Sequence, residues 1–488
     1  MQISRTNISS IQTQQGLIIP DEKLFQLPEK VLQFGTGVLL RGLPDYFIDK
    51  ANRKGIFNGR IVVVKSTSSG GTDDFGKQDN LYTLCVRGVE NGIKTDEAII
   101  NSSISRVIAA REDWSSVLAC AHDPEMKVII SNTTEVGITL VQDDIRLFPP
   151  LSFPGKLLGF LNERYKAFAG KKGSGMVIIP TELITDNGTK LKSIVIELAK
   201  MNKLGPAFIS WLDVENEFCN SLVDRIVPGK LNEEDLVATE KKLGYKDDLM
   251  ILAESFRLWA IESASDKVKE TLSFQKADNG VVIAPDIEIF RELKLRLLNG
   301  THSFSCALAH LAGFTTTKEA WTDGNLSVCL QQLMQQEIIT AITDEKISYQ
   351  EAFDFSVKTI DRFRNPYLDH KWLSIAVEYA AKMKMRNVPL ILKYYQKTEQ
   401  VPEMMAMGFA AFILFMKNSP VQDEHAAYFA NKWKENGEEN IAEAVLRDKD
   451  FWGVDLNQLK GFTGTVNTFL RSIIRNGVME SLHEADRA

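Results

Sequence analysis

Short apolar segments followed by glycine or polar residues recur along the first half of the chain. Such runs predict buried strands, because parallel strands covered on both faces are apolar throughout rather than alternating. The runs lie at 31–34, 60–65, 127–134 and 176–179. Several of them are followed by apolar residues at helical spacing, so the order strand, turn, helix repeats. The pattern therefore predicts an α/β domain with a parallel sheet.

Two parts of this first half lack the strand pattern. Residues 1–30 are polar and then interrupted by prolines, and we expect a loosely packed lead-in there. Residues 231–280 combine an apolar helical pattern with charged faces, and we expect helices there.

From residue 287 onward the pattern is almost entirely helical. Apolar residues recur at about 3.6-residue spacing, and the breaks fall at proline or glycine. The helical segments lie at 316–341, 346–363, 370–397, 402–417, 423–448 and 457–484, with breaks at Pro366, Pro389, Pro402, Pro420 and Gly453. A chain of 488 residues fits two or three domains. We predict an α/β domain over 1–286 and an all-α domain over 287–488.

Composition excludes several classes of function. A net charge of −7 and a pI near 5.6 give no basic face for nucleic acid. The five cysteines are scattered without a CxxC motif, which disfavours a disulfide framework and a zinc site and fits a reduced cytoplasm. The longest apolar run, 404–416, is too short to span a bilayer, and the N-terminus lacks a signal-peptide pattern. We expect a cytoplasmic protein without metal, membrane or nucleic-acid partners.

The first predicted strand ends in a glycine turn. Gly35, Thr36 and Gly37 follow it at once, and a helical pattern begins at Val38 and Leu39. Strand, glycine turn and helix form the first unit of a Rossmann-type dinucleotide-binding fold, in which backbone N–H groups approach a pyrophosphate. The third glycine of GxGxxG is absent, so an ordinary turn is the alternative. These five residues are the predicted cofactor contacts.

Two other strand ends carry polar residues at the same predicted edge of the sheet. The second strand ends at Lys65, where a Rossmann unit often carries an acid for the ribose hydroxyls. A basic residue suits a 2′-phosphate equally, so the residues leave NAD and NADP open. Asn132, Thr133 and Thr134 end a later strand and are predicted to contact the nicotinamide, with a routine strand-end turn as the alternative.

One helical stretch, 294–313, carries polar groups within an apolar pattern. Lys294, Asn299 and His302 stand among leucines, and burying polar groups without partners costs free energy. At about 100° per residue, Asn299 lies about 140° from Lys294 and His302 about 80° from it, so all three can face one side. Taken singly, a solvated lysine, a helix-ending asparagine and a core histidine are the alternatives. Together the three residues predict an active-site face.

The order Lys-x4-Asn-x2-His on this leucine-rich helix resembles the active-site helix of the mannitol dehydrogenase family, the polyol-specific long-chain dehydrogenases. Two further segments match the family, VDRIVP at 223–228 and RFRNP at 362–366. A shortened GxG followed by arginine is also a family feature. The resemblance covers nearly the whole chain from residue 31 and implies a metal-independent oxidoreductase that uses NAD(H).

The resemblance also implies roles for individual residues. Lys294 would be the acid/base, Asn299 would help hold the substrate oxygen, and His302 would orient substrate hydroxyls. The segment TELITDNG at 181–188 corresponds to the family's CDNxxxNG segment. Asn187 is therefore expected to join Asn299 in polarising the substrate carbonyl, with a plain Asn-Gly turn as the alternative.

Cationic residues near RFRNP bear on the substrate. Arg362, Arg364 and His370 are expected to contact it, since arginine suits a carboxylate in a bidentate pair; a solvated helix end is the alternative. Details such as PTELITDNG are closer to the branch of the family that acts on sugar acids, which implies interconversion of D-tagaturonate and D-altronate. Mannitol/fructose and mannonate/fructuronate are the alternative substrate pairs, and a non-catalytic nucleotide sensor is the alternative class. We expect a monomer or small homo-oligomer.

Overall fold

The computed structural model describes residues 1–66, 73–133 and 137–485, without the side chains of residues 73 and 483–485. The chain divides into two compact units. Unit 1 comprises Met1–Arg87 and Lys94–Ile287, and unit 2 comprises Gly88–Ile93 and Glu288–Ala488. None of the described helices is long and apolar enough to cross a membrane.

The strands of the described chain all lie before residue 285, interspersed with helices. In chain order they are β1 (Leu17–Ile18), β2 (Glu29–Phe34), β3 (Arg60–Lys65), β4 (Tyr82–Glu90), β5 (Ile93–Asn101), β6 (Ile104–Ala109), β7 (Val128–Ser131), β8 (Val177–Pro180), β9 (Glu217–Phe218), β10 (Ser221–Asp224), β11 (Ile251–Glu254), β12 (Leu258–Glu262) and β13 (Val281–Ala284).

Within the described residues, six of these strands form a parallel sheet in the order β6-β3-β2-β7-β8-β9. Counted along the chain, this is the order 3-2-1-4-5-6 of a doubly wound Rossmann sheet. Val31 lies opposite Ile61 on one side and Val128 on the other. The four predicted strands are confirmed as β2, β3, β7 and β8. Strand order reverses between β2 and β7, and ligands bind at such a switch point.

Both faces of this sheet are buried, which explains why its strands are apolar throughout. On β2, Val31 packs into one core and Leu32 and Phe34 pack into another. Successive side chains of a strand point to opposite faces, so the apolar residues of β2 enter the two cores in turn. The period-2 alternation of a one-sided sheet is therefore missing from the sequence.

Two predictions for unit 1 are wrong. Residues 1–30 are packed rather than loose, since Ile3, Ile8 and Leu17 are buried in a third core and β1 pairs with β5. Residues 231–280 contain strands as well as helices, since β11 pairs with β4 and β12 lies between β10 and β13. Both strands are so short that apolar spacing does not distinguish them from helix.

The α-helices of the described chain are concentrated after residue 287. Those of unit 1 are α1 (Val38–Gly42), α2 (Pro44–Arg53), α3 (Asp73–Lys77), α4 (Trp114–Ala119), α5 (Phe153–Ala167), α6 (Asn187–Met201), α7 (Pro206–Glu215), α8 (Glu233–Leu243) and α9 (Asp266–Thr271). Those of unit 2 are α10 (Glu288–Leu293), α11 (Thr301–Leu311), α12 (Thr317–Thr322), α13 (Leu326–Gln332), α14 (Ile339–Ile342), α15 (Tyr349–Phe363), α16 (Trp372–Ile375), α17 (Tyr379–Lys382), α18 (Val388–Thr398), α19 (Glu403–Phe415), α20 (Ala426–Leu446), α21 (Lys449–Trp452), α22 (Phe462–Asn476) and α23 (Val478–Ala485).

Unit 2 confirms the predicted helical second half and adds π-helical segments. These segments join consecutive α-helices at Lys294–Gly300, Leu333–Ile338 and Met383–Asn387. The predicted break at Pro389 is wrong, because Pro389 lies in the first turn of α18 directly after a π segment. The helix continues through Pro389, which stands where the bonding already departs from the α-helical pattern, so that its missing N–H is accommodated there.

Candidate active site

The glycine turn after β2 is tightly enclosed at Gly35. Its φ of 130° is a conformation that side-chain-bearing residues rarely adopt. A Cβ added there would lie 2.8 Å from Leu40 Cδ1 and 3.0 Å from the backbone oxygen of Asn132. The backbone N–H of Gly35 donates to the carbonyl oxygen of Val64 at 3.1 Å. The turn is therefore bound into the edge of the sheet and has no space for a side chain at Gly35.

The rest of the turn leads straight into a helix. Gly37 is exposed and directly precedes α1. Thr36 on one side of it, and Val38 and Leu39 on the other, are half-buried. An added Cβ at Gly37 would meet nothing within 4 Å. The turn thus lies at the switch point with open space on one side, and it fits a dinucleotide pyrophosphate. Contact of these residues with the cofactor stays a prediction.

Alanine at Gly35 is expected to lower the free energy of unfolding by more than about 1 kcal/mol and to weaken cofactor binding. The positive φ and the two close contacts of the added Cβ are the physical reasons. Urea denaturation and an NADH fluorescence titration would measure the two effects. Gly37→Ala is the matched control for stability, since it has an ordinary φ of −63° and open space. Equal stability of the two variants would contradict the prediction.

The carboxyl end of β7 is anchored to the end of β8. The Asn132 side-chain amide donates to the backbone oxygen of Thr181 at 3.1 Å and to its hydroxyl at 3.0 Å. The backbone N–H and the hydroxyl of Thr133 donate to one carboxylate oxygen of Glu182 at 2.8 and 2.9 Å. These bonds give both predicted nicotinamide contacts a fixed position at the ligand edge of the sheet.

Two further predicted cofactor contacts are less completely defined. Lys65 is the last residue of β3 and is half-buried at the same edge of the sheet. Thr134 lies outside the described residues. Lys65 therefore leaves the choice between NAD and NADP open.

Asn187 begins α6 and is fully buried. Its amide nitrogen lies within 3.1 Å of the backbone oxygens of Pro180, Glu182 and Ser221. Its amide oxygen accepts the backbone N–H groups of Gly188 and Ser221 at 2.9 Å. A side-chain amide has only two hydrogens to donate, so none is left for a substrate oxygen. The side chain ties α6 to β8 and β10. Its expected role in polarising a carbonyl stays a prediction.

Polar side chains that flank the glycine turn in sequence are buried in unit 1. Gln33 and Asp45 are fully buried. Within the described part of the chain, no partner lies in hydrogen-bonding geometry with the polar atoms of either side chain. Burial raises the pKa of Asp45 from its ordinary value of 3.8 to about 8, and the neighbouring Gln33 side chain and then the Arg41 guanidinium oppose that rise. Folding therefore keeps this carboxyl group protonated at neutral pH.

Asp45→Asn is expected to flatten the pH dependence of stability. The carboxyl group of Asp45 keeps its proton up to about pH 8 in the folded wild type and loses it near pH 4 in the unfolded chain. The free energy of unfolding therefore falls between these two values as pH rises. The slope from one such proton is about 1.4 kcal/mol per pH unit. The midpoints of urea denaturation, measured from pH 5 to 8, would show this slope. The exposed Asp74→Asn is the control, and parallel profiles for wild type and Asp45→Asn would contradict the prediction.

The helix that carries Lys294 is π-helical there. In a π-helix each N–H bonds the carbonyl five residues earlier, so Lys294 and Asn299 lie close to the same side. The separation of about 140° expected from α-helical geometry is therefore wrong. Both side chains are half-buried. The π segment brings these two predicted groups closer together than the sequence indicates.

Side chains hold this π segment against the later one at Met383–Asn387. The Asn387 amide donates to the backbone oxygen of Gly300 at 3.0 Å. The Arg296 guanidinium donates to the backbone oxygens of Met385 and Arg386 at 3.2 and 2.9 Å. Carbonyl groups that regular helical bonding leaves out are thereby satisfied. Single π turns within helices occur frequently at functional sites.

His302 follows the π segment and is only 5% exposed. Its ring centroid lies 4.2 Å from that of Phe363, 5.2 Å from that of His370 and 5.9 Å from that of Trp372. Burial lowers the pKa of His302 well below its ordinary value, and nearby cationic groups lower it further. Its Nδ1 has no hydrogen-bond partner among the described residues. The ring is therefore neutral and able to donate one hydrogen bond and accept another.

Two of the three predicted cationic contacts lie beside His302. Burial lowers the pKa of His370, and the charge of Arg362 lowers it further. The same arginine, buried at the end of α15, contributes to the lowered pKa of His302. Arg364 differs, because its Nε donates to the backbone oxygen of Trp321 at 3.0 Å. Unit 2 thus brings Arg362 and His370 to the histidine and holds Arg364 on a backbone carbonyl.

Arg386 belongs to the same neighbourhood and is missing from the residues predicted by sequence. Its Nη1 donates to the Ser303 hydroxyl at 3.3 Å, one residue beyond His302. Its charge, after burial, is among the causes of the lowered pKa of His302. The signal that could have indicated it is KMKMR at 382–386, a basic cluster inside an apolar helical segment.

The unit 2 arrangement suits a substrate that carries hydroxyl groups and negative charge. Lys294 can exchange a proton, and Asn299 can donate a hydrogen bond. The neutral ring of His302 can donate one hydrogen bond to a hydroxyl group and accept another. The charged side chains of Arg362 and Arg386 lie near that histidine. Among residues 1–66, 73–133 and 137–485, no group of three or more His, Cys, Asp or Glu side chains is placed to hold a metal ion.

Comparison with known proteins extends these observations. The model of the mannitol dehydrogenase Rossmann domain matches residues 29–273, and that of the mannitol dehydrogenase C-terminal domain matches residues 286–474. An altronate oxidoreductase of Bacillus subtilis (strain 168) is 37% identical over 466 residues, which cover 94% of this chain and 95% of that protein. An altronate oxidoreductase of Klebsiella pneumoniae (strain 342) is 36% identical over 472 residues, which cover 94% and 97%.

Two solved structures have the same fold as the chain. A substrate-free D-sorbitol dehydrogenase superposes with a TM-score of 0.77 at 19% identity, covering 99% of this chain and all of that one. Pseudomonas fluorescens mannitol 2-dehydrogenase, in a ternary complex with NAD and D-mannitol, superposes with a TM-score of 0.67 at 19% identity, covering 100% of both chains.

Proposed function

The chain belongs to the mannitol dehydrogenase family, and from this premise we propose that it is an NAD(H)-dependent oxidoreductase that interconverts D-tagaturonate and D-altronate. The observation that carries the proposal is the π-helical segment that places Lys294 and Asn299 on one side, with neutral His302 just beyond it. Relatives named altronate oxidoreductase, which match 94% of the chain, support the choice of a sugar acid.

In this mechanism Lys294 moves the proton. During reduction its ammonium group gives a proton to the former keto oxygen, and during oxidation its amine takes the proton of the hydroxyl group. Asn299 donates a hydrogen bond to that oxygen as negative charge develops, which is worth roughly 3 kcal/mol in comparable sites. His302 binds a neighbouring substrate hydroxyl through its neutral ring. Bound NAD(H) supplies or accepts the hydride.

The cofactor is held by the ligand edge of the Rossmann sheet in this proposal. The tightly packed Gly35 and the open space at Gly37 support a pyrophosphate site at the turn. The residues we place against the cofactor are Gly35, Thr36, Gly37, Val38, Leu39, Lys65, Asn132 and Thr133. Lys65 is the position from which a preference between NADH and NADPH would arise.

A substrate comparison tests the proposal. NADH oxidation by the purified protein would be followed with D-tagaturonate, D-fructuronate and D-fructose in parallel, and repeated with NADPH. We expect turnover with tagaturonate to exceed that with the other two. Faster turnover of fructose or fructuronate would move the substrate to the mannitol or mannonate pair and keep the reaction class. No turnover with any of them would leave a nucleotide-binding protein without this chemistry.

The setting of the enzyme is also part of the proposal. Scattered cysteines without a CxxC motif support a reduced cytoplasm. The sugar acid is the expected small-molecule partner, and a monomer or small homo-oligomer is the expected state. Light scattering of the purified protein would measure that state.

A further inference from the structure

Arg386 is a half-buried cation without a carboxylate partner in the described chain. Its guanidinium contacts the Ser303 hydroxyl at 3.3 Å, and burial lowers its pKa. Withdrawing a charge from water without an opposite charge nearby is unfavourable. A fold that keeps Arg386 in this position therefore leaves a place for an anion.

Two arginines, Arg362 and Arg386, contribute positive charge near His302. The groups that lower its pKa, after burial, are His370, Arg362 and Arg386, and none of them is acidic. Lys382 is affected in the same way, since burial and then Arg386 lower its pKa. The acids that act on Lys382, Glu378 and Asp423, form no ion pair with Arg386 in the described chain. Negative charge from a ligand would stabilise this cluster.

Arg386 is better placed for that anion than two nearby cations. The Nε of Arg364 is occupied by the backbone oxygen of Trp321, and the ammonium group of Lys382 donates to the backbone oxygen of Ile375 at 2.8 Å. The backbone of Arg386 is fixed, because its carbonyl accepts a bond from Arg296 at 2.9 Å. A planar guanidinium on a fixed backbone suits a carboxylate, which it binds through two parallel hydrogen bonds.

We propose that Arg386 binds the carboxylate of the sugar-acid substrate and so determines the preference for an acid over a neutral sugar. The proposal rests on the function proposed above. Ser303 is the next residue after His302 in the chain, and its hydroxyl accepts a hydrogen bond from Arg386 Nη1 at 3.3 Å. The carboxylate would lie at Arg386 while a hydroxyl group of the same molecule lies at the imidazole.

Kinetics with an acid and its neutral counterpart test this role. D-Tagatose has a CH2OH group where D-tagaturonate has its carboxylate, so both would be reduced with NADH by wild type, Arg386→Gln and Arg386→Lys. Arg386→Gln is expected to raise KM for tagaturonate about 10- to 100-fold with a smaller change in kcat. Its activity toward tagatose should stay at the wild-type level, and Arg386→Lys should recover part of the loss.

Lys384→Gln is the matched control, because Lys384 is an exposed cation two residues earlier on the same π segment. It should keep the wild-type KM for tagaturonate. An unchanged KM in Arg386→Gln, or an equal loss toward both sugars, would overturn the carboxylate role and leave the proposed function standing. A wild-type enzyme with no preference for tagaturonate over tagatose would overturn the proposed function, and this inference with it.

Discussion

Replacement of Lys294 by alanine is expected to lower kcat about 10²- to 10⁴-fold, the usual contribution of a general acid or base. The affinity for NADH should stay nearly unchanged, because the residues placed against the cofactor belong to the Rossmann sheet of unit 1. Steady-state reduction of tagaturonate would give kcat, and quenching of protein fluorescence by NADH would give the dissociation constant. A loss confined to kcat is the result that the proton-transfer role requires.

A second lysine of unit 2 provides the control for this variant. Lys393 forms an ion pair with Glu292 at 3.5 Å and is partly exposed. Lys393→Ala should keep kcat within a small factor of wild type, since an exposed ion pair contributes little. Normal turnover by Lys294→Ala would remove the acid/base assignment, whatever the substrate proves to be.

Replacement of Asn187 by alanine is expected to reduce the free energy of unfolding by about 3 kcal/mol or more. The change removes a side chain that binds three backbone oxygens and two backbone N–H groups in a fully buried position. Each buried polar group left without a partner costs about 1–3 kcal/mol. Urea denaturation followed by circular dichroism would measure the loss.

The same variant separates a structural role of Asn187 from a catalytic one. Lys190→Ala, an exposed position on the same helix, should leave stability unchanged. If Asn187→Ala kept wild-type stability and lost turnover as Lys294→Ala should, the catalytic role expected from sequence would be supported. Loss of stability with kcat retained in the folded fraction supports the role in tying α6 to β8 and β10.

Much of the fold follows from local sequence pattern. The apolar runs that became β2, β3, β7 and β8 are buried on both faces, and this burial leaves a continuous apolar signal. The second half shows its helices through repeated apolar spacing. In contrast, β11 and β12 carry few residues and lie next to charged segments, so their pairing with distant strands decided their structure. The burial of residues 1–30 likewise depends on partners far along the chain.

The features of the candidate site also divide into those that the sequence indicates and those that only the structure shows. Residue order alone indicated Lys294, Asn299 and His302, because polar groups on an apolar helix stand out against its pattern. Sequence could not show the π segment, since it is held by Arg296 and by the bond from Asn387 to Gly300. It also could not show that the polar atoms of Asn187 are all bonded to backbone, because those partners belong to separate strands and turns.

The sequence by itself therefore determined four of the buried strands, the helical second half, the glycine turn and the residue types available for chemistry. Local periodicity and composition carry that information within a few turns of chain. Only the tertiary structure showed that the polar atoms of Asn187 are bonded to backbone, that Lys294 and Asn299 lie close to one side, and that Arg386 contacts Ser303. The contacts that fix these features join segments up to 90 residues apart, and their geometry depends on packing rather than on neighbouring residues.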